Sequence, residues 1–203
     1  MSINFEELLN YLHKDVGPTL ENSVHDHTSK HAIDRINSIY PLKNKCVLDI
    51  GCGIGRDMFY MESLGAKCWG VTINEKEFIK IEHPRIYLCD MHDLSLFGGM
   101  DLIFASHVLE HSPCPLLVLK QFYTALQPYG KVYIEVPSPK PWSIHNQNHY
   151  SIFCKDMWLE LFSKARFKCE EQINLKVNIA EKEGENPYIE DEFWGFILKK
   201  NEL

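Results

Sequence analysis

The strongest constraint on the fold is a regular alternation of apolar and amphipathic segments that begins at residue 45. Short apolar runs are separated by stretches whose apolar residues recur at helical spacing, which is typical of a parallel sheet with helices on both faces. Five of these runs are predicted strands: KCVLDI, AKCWGVTI, RIYLCD, MDLIFASHVL and KVYIEVPSP. Three intervening segments are predicted helices: RDMFYMESLG, NEKEFIKI and CPLLVLKQFYTALQP.

The C-terminal part of the chain departs from this alternation. After the helical pattern KDMWLELFSKA, the strand patterns FKCEEQINL and EFWGFILKK follow each other with only an acidic loop between them. Two consecutive strands without a crossover helix are expected to pair as an antiparallel hairpin. The sequence therefore predicts an α/β fold, with a seven-stranded, mostly parallel sheet, helices on both faces and a C-terminal antiparallel hairpin.

The first 40 residues are predicted to form a small helical cap. Helical periodicity is present in residues 3–14, breaks at Gly17 and Pro18, and returns before Pro41. The apolar faces comprise Phe5, Leu8, Leu9 and Leu12 in the first helix and Ala32, Ile33, Ile36 and Tyr40 in the second. We therefore expect residues 1–40 to be an N-terminal cap or lid and residues 41–203 to form the main domain.

The segment VLDIGCGIGRD joins the first predicted strand to the following helix. Glycines in such a turn allow positive φ and let the backbone approach a ligand closely. The spacing is Gly-x-Gly-x-Gly, whereas the dinucleotide fingerprint is Gly-x-Gly-x-x-Gly, and Arg56 stands where the last glycine would be. A nicotinamide-dependent oxidoreductase is therefore disfavoured.

Composition excludes some broad classes of function. The 203-residue chain has a formal net charge of −7, which argues against non-specific binding to nucleic acid. We expect no signal peptide and no membrane span, because no apolar run approaches the roughly 18 residues that a span needs. The seven cysteines form no Cys-x-x-Cys pair, and buried thiols in a reducing cytoplasm are the favoured interpretation.

Four motifs in the expected order carry a family resemblance. They are LDIGCGIG, CDMHDL, MDLIFASHVLEH and LQPYGKVYIEVPSP. From about Cys46 to the C-terminus, the chain resembles the class I S-adenosylmethionine-dependent methyltransferases of the small-molecule type. The resemblance implies S-adenosylmethionine as the cofactor and S-adenosylhomocysteine as its product.

The resemblance implies that the glycine loop holds the methionine and ribose end of the cofactor. Gly51 and Gly53 would allow backbone approach on either side of Cys52, and Asp49 would offer a carboxylate to a cationic group. A cap on the following turn is the alternative role for Asp49. Many relatives end the second strand in an acid that binds the ribose hydroxyls, and Thr72 stands there in this chain.

By comparison with cyclopropane-synthase-like relatives, Thr72 and Ile73 would line the cofactor pocket, and Asn74 or Glu77 would contact the ribose. A solvated helix charge is the alternative interpretation of Glu77.

The remaining cofactor positions follow the third and fourth strands. Asp90 would accept a hydrogen bond from the exocyclic amine of adenine, with the Met91 backbone beside the ring; a helix cap is the alternative for Asp90. Ser106 and His107 would lie under the methionine part of the cofactor.

A general base is needed only if the methyl acceptor loses a proton as it attacks, as a hydroxyl does. The candidates are histidines at the carboxyl edge of the sheet, where open α/β folds bind ligands. We expect His149 or His111 to act as the base or to orient the acceptor, with His107 as a further catalytic candidate. No metal is predicted; a site built from His145, His149 and a nearby acid is the alternative.

Two further segments are candidates for contact with ligands. The segment HDHTSKH, with His25, His27 and His31, is either a lid over the cofactor or a solvated linker. Three aromatic residues, Trp142, Tyr150 and Phe153, could wall an acceptor pocket, whereas Trp158 is expected in the core.

The sequence thus predicts methyl transfer to a hydroxyl or amine of a small molecule, such as a sugar, a lipid-linked molecule or a secondary metabolite. A non-catalytic S-adenosylmethionine-binding regulatory subunit and a protein methyltransferase are the alternatives. Nucleic acid is not expected as a partner.

Overall fold

The computed structural model describes residues 23–179 and 189–201, so the predicted helix over residues 3–14 lies outside the described part of the chain. The helices are α1 (Ser23–Ile39), α2 (Arg56–Ser63), α3 (Glu75–Phe78), α4 (Pro115–Ala125), α5 (Pro141–Ile144) and α6 (Lys155–Lys164), with a 3-10 turn over Leu109–His111. The strands are β1 (Cys46–Ile50), β2 (Lys67–Thr72), β3 (Ile86–Leu88), β4 (Met100–Ser106), β5 (Leu126–Pro137), β6 (Phe167–Ile179) and β7 (Ile189–Lys200).

The seven strands form one sheet in the order β3-β2-β1-β4-β5-β7-β6. Strands β1 to β5 are parallel to one another, whereas β7 pairs antiparallel with both β5 and β6. The predicted mostly parallel sheet with a C-terminal antiparallel hairpin is therefore confirmed.

Both faces of the sheet are buried, which explains why its central strands are almost continuously apolar. Leu48 of β1 belongs to a core cluster with α4 and α6, while its neighbour Val47 belongs to a second cluster with α1 and α2. In β4, Ile103 and Phe104 divide between the two clusters in the same way. Successive side chains of a strand point to opposite faces of the sheet. A strand whose residues are all apolar must therefore be covered on both faces.

Two boundaries differ from the prediction. Strand β5 begins at Leu126 and not after the Pro-Tyr-Gly turn, because the chain makes an irregular excursion: Met100 pairs with Leu126, but Leu102 pairs with Lys131. Helix α1 begins at Ser23, so the HDHTSKH segment, predicted as either a lid or a solvated linker, is helical. Its histidines and short polar residues form no apolar stripe, so the sequence does not indicate this first part of the helix.

The order of strands reverses between β1 and β4, whose carboxyl ends are adjacent. In open α/β sheets such a reversal opens a crevice, since the connections leave in opposite directions. The glycine loop follows β1, and the His107–His111 segment follows β4. The fold thus brings the glycine loop and the His107–His111 segment together at the carboxyl edge of the sheet.

Candidate functional site

The glycine loop adopts the backbone conformation that its composition predicts. Gly51, Gly53 and Gly55 have φ values of 71°, 50° and 84°, in the left-handed region that side-chain-bearing residues disfavour. A Cβ on Gly51 would lie 2.5 Å from a methyl carbon of Val108, in the segment after β4. Glycine at position 51 is therefore required both by its φ and by the close approach of the β4 segment.

Asp49 stands at the head of this loop with an incomplete set of hydrogen bonds. Its side chain is buried, and among the described residues its Oδ2 has no hydrogen-bond partner. Burial and the nearby Asp57 carboxylate raise the pKa of Asp49 well above its usual range. Asp57 itself accepts a 2.9 Å hydrogen bond from the Ser29 hydroxyl of α1. An acid in this position is suited to receive a cationic or hydrogen-bond-donating group.

A crevice runs from the glycine loop along the ends of β2 and β3. Its lining comprises Ile50, Gly51, Val71, Thr72, Ile73, Cys89, Asp90, Met91 and Val108. Five of these nine residues were predicted to contact the cofactor: Gly51, Thr72, Ile73, Asp90 and Met91. The structure thus brings together residues separated by up to 40 positions in sequence.

Asp90 is fixed by the turn that follows β3. Its Oδ1 accepts a 2.8 Å hydrogen bond from the His92 backbone N–H and lies 2.6 Å from Nδ1 of the same residue. The other ring nitrogen of His92 lies 2.8 Å from the hydroxyl of Ser112. No helix begins here, so Asp90 is not the helix cap considered as its alternative; its side chain holds the turn after β3 and also lines the crevice.

Six of the predicted cofactor contacts are outside the crevice lining: Asp49, Cys52, Gly53, Glu77, Ser106 and His107. Cys52 packs its thiol into the second core cluster, where a Cβ on Gly70 would lie 2.7 Å from its sulfur, so only the backbone of Cys52 faces the loop interior. Burial raises the pKa of that thiol. Glu77 lies on α3, with its backbone N–H capped by the Asn74 side chain. Ser106 ends β4, half-buried and paired in register with Glu135.

His107 lies in a buried ionic network. Its Nε2 is 2.9 Å from Glu135 Oε1, its Nδ1 is 3.4 Å from Glu110 Oε1, and its φ is 53°. Burial alone would lower the pKa of His107, but hydrogen bonds and attraction to Glu110 and Glu135 outweigh it and raise the pKa to about 10. The Tyr133 hydroxyl donates a 2.6 Å hydrogen bond to the other oxygen of Glu135. A histidine that keeps its proton at neutral pH cannot accept another, so this geometry disfavours His107 as a general base.

The other two catalytic candidates lie side by side. The rings of His111 and His149 have centroids 4.9 Å apart. Nδ1 of His111 is 2.8 Å from the Asn148 carbonyl oxygen, and Nδ1 of His149 is 2.8 Å from the Ser143 carbonyl oxygen. Burial lowers the pKa of His149, which favours its neutral form.

Glu110 completes this group. One ligand-forming atom each of Glu110, His111 and His149 lies within 4.8 Å of the other two. The alternative metal site of His145, His149 and a nearby acid is not present among the described residues. His145 is exposed, and His149 lies instead beside Glu110 and His111 of the segment after β4.

The predicted aromatic wall is only partly present. Trp142 lies near both His149 and Phe193, with ring centroids 6.2 and 6.0 Å away, and Tyr150 is exposed beside them. Phe153 instead packs on the fully buried Trp158, at 4.9 Å between centroids. Phe153 is therefore partly buried against the core, and Trp158 lies in the core as predicted.

Three acids of the site were not predicted from the sequence: Asp57, Glu110 and Glu135. A signal existed for Glu135, because an isolated acid within the apolar run VYIEVP is unusual unless it is paired. Glu110 carried a weaker signal as the acid beside a predicted catalytic histidine. Nothing in the local pattern distinguished Asp57 from an ordinary acid in the first turn of a helix.

Within the described ranges, no helix is long and apolar enough to cross a membrane.

Curated proteins similar to this chain include carboxymethyltransferases and a methyltransferase. The tRNA U34 carboxymethyltransferase of Helicobacter pylori (strain G27) is 31% identical over 116 residues, which cover 50% of this chain and 44% of that protein. The same enzyme of Vibrio cholerae (strain M66-2) is 35% identical over 108 residues, covering 48% and 33%. The ubiquinone biosynthesis O-methyltransferase of Albidiferax ferrireducens is 26% identical over 120 residues, covering 54% and 48%. The chain thus spans less than half the length of each of these curated relatives.

Solved structures show the same fold. The 1,6-didemethyltoxoflavin-N1-methyltransferase of Burkholderia thailandensis, solved with 1,6-didemethyltoxoflavin and S-adenosylhomocysteine, superposes with a TM-score of 0.71 at 18% identity over 100% of this chain and 92% of that chain. A Haloferax volcanii methyltransferase structure, solved as a complex with the Trm112 methyltransferase activator, gives 0.75 at 16% identity over 98% and 97%. Residues 25–172 match the family described as a methyltransferase domain. Because that match covers most of the chain and the sheet has the expected order and hairpin, the chain belongs to the class I S-adenosylmethionine-dependent methyltransferases.

Proposed function

We propose that this protein transfers a methyl group from S-adenosylmethionine to a hydroxyl or amine of a small molecule. The observation that carries the proposal is the buried, unpartnered oxygen of Asp49, which directly precedes the crevice-lining residues Ile50 and Gly51. A buried carboxylate oxygen without a hydrogen-bond donor is unfavourable, and a cationic group of a ligand would supply the missing donor. The methionine part of S-adenosylmethionine carries an ammonium group of this kind.

The residues of the crevice fit the other parts of the cofactor. Backbone approach at Gly51 and Gly53 would accommodate the methionine and ribose, with Ser106 and His107 beneath the methionine part. Thr72 and Ile73 would line the pocket, and Glu77 would reach the ribose from α3. Asp90 offers only acceptors when ionised, which suits the exocyclic amine of adenine, with Met91 beside the ring.

The bound cofactor would supply a methyl carbon already activated by a positively charged sulfur. The protein would therefore act mainly by holding the acceptor close and in line, and by excluding water. The half-exposed Trp142 provides apolar surface next to His149 for this purpose, and the buried Phe193 packs against it. His107, held between Glu110 and Glu135, would keep the end of β4 in place as a positioning residue.

His149 and His111 are proposed to act on the acceptor. Each ring places Nδ1 against a backbone carbonyl, so each donates its Nδ1–H and keeps a lone pair on Nε2. Such a lone pair can take or direct the proton of an acceptor hydroxyl. If it does so, His149→Ala should lower turnover by about 10²–10⁴ with little change in cofactor affinity.

The N-terminal region is proposed to cover the cofactor. The Ser29 hydroxyl contacts Asp57, and the Thr28 side chain hydrogen-bonds Glu135, so α1 reaches both acids behind the glycine loop and β4. We further infer a cytoplasmic location, because all seven cysteines are free and Cys52 and Cys68 are buried as thiols.

Two alternatives remain open to test. A regulatory subunit would bind the cofactor without catalysis, and a protein methyltransferase would label polypeptide. The names of the curated relatives add tRNA as a third acceptor to examine, although the net charge of −7 is unfavourable for a phosphate-rich substrate.

The test is incubation of the full chain with methyl-tritiated S-adenosylmethionine and three sets of acceptors: small hydroxyl and amine compounds, protein extract, and total tRNA. We expect label only in the small-molecule set, with loss of label in His149→Ala. Label in protein or tRNA would overturn the proposed acceptor class. Cofactor binding by calorimetry with no labelled product in any set would favour the regulatory role.

A further inference from the structure

We propose that Glu110, His111 and His149 form a binding site for a first-row divalent metal ion on the acceptor side of the crevice. Its role in catalysis rests on the proposed function. Its existence does not, because ion binding can be measured without cofactor or acceptor.

The three side chains are close enough that small rotations about their side-chain bonds would bring their ligand atoms to one ion. Their ligand-forming atoms lie within 4.8 Å of one another. Nitrogen and oxygen ligands about 2.1 Å from one ion lie roughly 3.0–3.4 Å apart, for octahedral and tetrahedral geometry respectively. Glu110 and His111 are adjacent in the 3-10 turn after β4, whereas His149 comes from the loop after α5.

The two histidines are oriented as metal ligands usually are. A ligating histidine commonly donates its second ring N–H to a carbonyl or carboxylate, which fixes its tautomer and direction. Here the Nδ1 atoms of His111 and His149 are 2.8 Å from the carbonyl oxygens of Asn148 and Ser143. Those bonds leave Nε2 of each ring as the nitrogen with a lone pair.

The loop carrying His149 is tied directly to the 3-10 turn. The backbone N–H groups of Tyr150 and Ser151 both donate to the carbonyl oxygen of Glu110, at 2.8 and 2.9 Å. The two halves of the cluster are therefore held together by backbone bonds, independently of any ion. A site held this way loses less conformational entropy on binding.

Glu110 supplies a second, independent indication. Its side chain is 1% exposed, and its Oε2 has no hydrogen-bond partner among the described residues. Oε1 lies 3.4 Å from Nδ1 of His107, so one carboxylate oxygen has a neighbour from the protein and Oε2 has none among the described residues. Leaving a buried carboxylate oxygen unpartnered is unfavourable, and a cation held with two imidazoles would satisfy it.

The ligand set indicates the class of ion. Two imidazoles and one carboxylate suit Zn²⁺, Fe²⁺ or a similar first-row ion better than Mg²⁺ or Ca²⁺, which prefer oxygen ligands. Three protein ligands also leave coordination positions for a substrate oxygen.

In the proposed reaction, the acceptor hydroxyl would occupy an open position on the ion. Coordination lowers the pKa of a bound hydroxyl, so its proton leaves to solvent water. The oxygen lone pair then forms the bond to the methyl carbon, and the electron pair of the breaking carbon–sulfur bond stays on sulfur. His149 would thus act on the acceptor through the ion, and a hydroxyl is favoured over an amine as acceptor.

The test uses Co²⁺ as the probe, added to the full chain after treatment with a chelator. We expect one equivalent to bind, with d–d absorption of nitrogen and oxygen ligation and without a thiolate charge-transfer band, which separates this site from the seven cysteines. Loss of a single ligand in His111→Ala or His149→Ala should weaken binding by at least the 10–100-fold typical of supporting residues. His145→Ala is the matched control, since it removes an exposed histidine from the same loop.

Three results would each refute the metal site. They are the absence of stoichiometric Co²⁺ binding, a thiolate charge-transfer band, and a loss of Co²⁺ affinity in His145→Ala equal to that in the two histidine variants. Glu110→Gln should also weaken binding, and where it fails to fold, the two histidine variants decide the matter. Calorimetric titration with S-adenosylhomocysteine is run on the same samples. Intact cofactor binding without Co²⁺ binding refutes the metal site alone, whereas Co²⁺ binding without methyl transfer refutes only the proposed function.

Discussion

Asp49 is expected to stabilise the bound cofactor while destabilising the cofactor-free protein. Its carboxylate is buried, and Oδ2 is unpartnered among the described residues. The substitution Asp49→Asn keeps the shape and removes the charge. If the carboxylate receives the ammonium group of the cofactor, its loss should cost about 1.5–3 kcal/mol, or about a 13- to 160-fold higher Kd.

The effect is large enough to read as a thermal shift with S-adenosylhomocysteine. At 100 times Kd, the ligand stabilises the parent by about 2.7 kcal/mol, which corresponds to roughly 5–11 °C in a chain of this size. A variant with 50-fold weaker binding at the same ligand concentration is stabilised by only about 0.6 kcal/mol, or roughly 1–3 °C.

The stability of the cofactor-free protein should change in the opposite direction. Burial and Asp57 raise the pKa of Asp49, so the folded state holds this proton more tightly than the unfolded state. Its contribution to stability is fully present below the unfolded pKa of about 3.9 and is lost as pH rises through the folded pKa. At neutral pH the Asp49→Asn variant should therefore unfold at the same temperature as the parent or higher, and this advantage should shrink toward pH 4.

Asp191→Asn provides the matched control. Asp191 is also buried, has an oxygen without a partner among the described residues and has a pKa raised by burial. It lies on β7, where its side chain hydrogen-bonds Trp142, and it is outside the crevice lining. It should leave the ligand-induced shift unchanged. If Asp49→Asn binds S-adenosylhomocysteine as tightly as the parent, the carboxylate does not receive the cofactor and the proposed assignment of the crevice is wrong.

Three other substitutions test separate parts of the site. Gly51→Ala should abolish the ligand-induced thermal shift, because its Cβ would meet Val108 at 2.5 Å. Gly99 has nearly the same φ, 70°, and open space around its Cβ, so the control Gly99→Ala should lose only about 1–2 kcal/mol of stability and bind the ligand normally. Asp90→Ala should weaken S-adenosylhomocysteine binding by about 13- to 160-fold, measured by calorimetry, whereas His92→Ala should have a smaller effect; equal losses would make Asp90 only a support for its turn. Glu135→Ala should lower the free energy of unfolding in urea by about 3–5 kcal/mol, since it leaves His107 with one buried partner fewer, while Glu170→Ala, which removes the partner of Lys131 at the surface, should change it by less than about 1 kcal/mol. Similar values for the two glutamate variants would refute the structural role of the buried network.

The sequence by itself determined the architecture of the described residues. Apolar strands such as KCVLDI and MDLIFAS must be covered on both faces, and the two final strands have no helix between them, so the parallel sheet and its antiparallel end follow from local patterns. The glycine loop could also be predicted, because glycine adopts a positive φ such as that of Gly51 without the steric cost that other residues incur.

Tertiary structure decided which polar residues meet. The approach of Val108 to Gly51 and the burial of Asp49 beside Asp57 depend on how β1 and β4 are placed at the reversal of strand order. The sequence separates Glu110 from His149 by two helices and a strand, and no periodicity indicates that they adjoin. His107 looked like its neighbour His111, yet only the three-dimensional structure surrounds it with two carboxylates and leaves His111 facing His149. Local patterns report whether a segment is buried, whereas the protonation and partners of a polar side chain depend on groups that are distant in sequence.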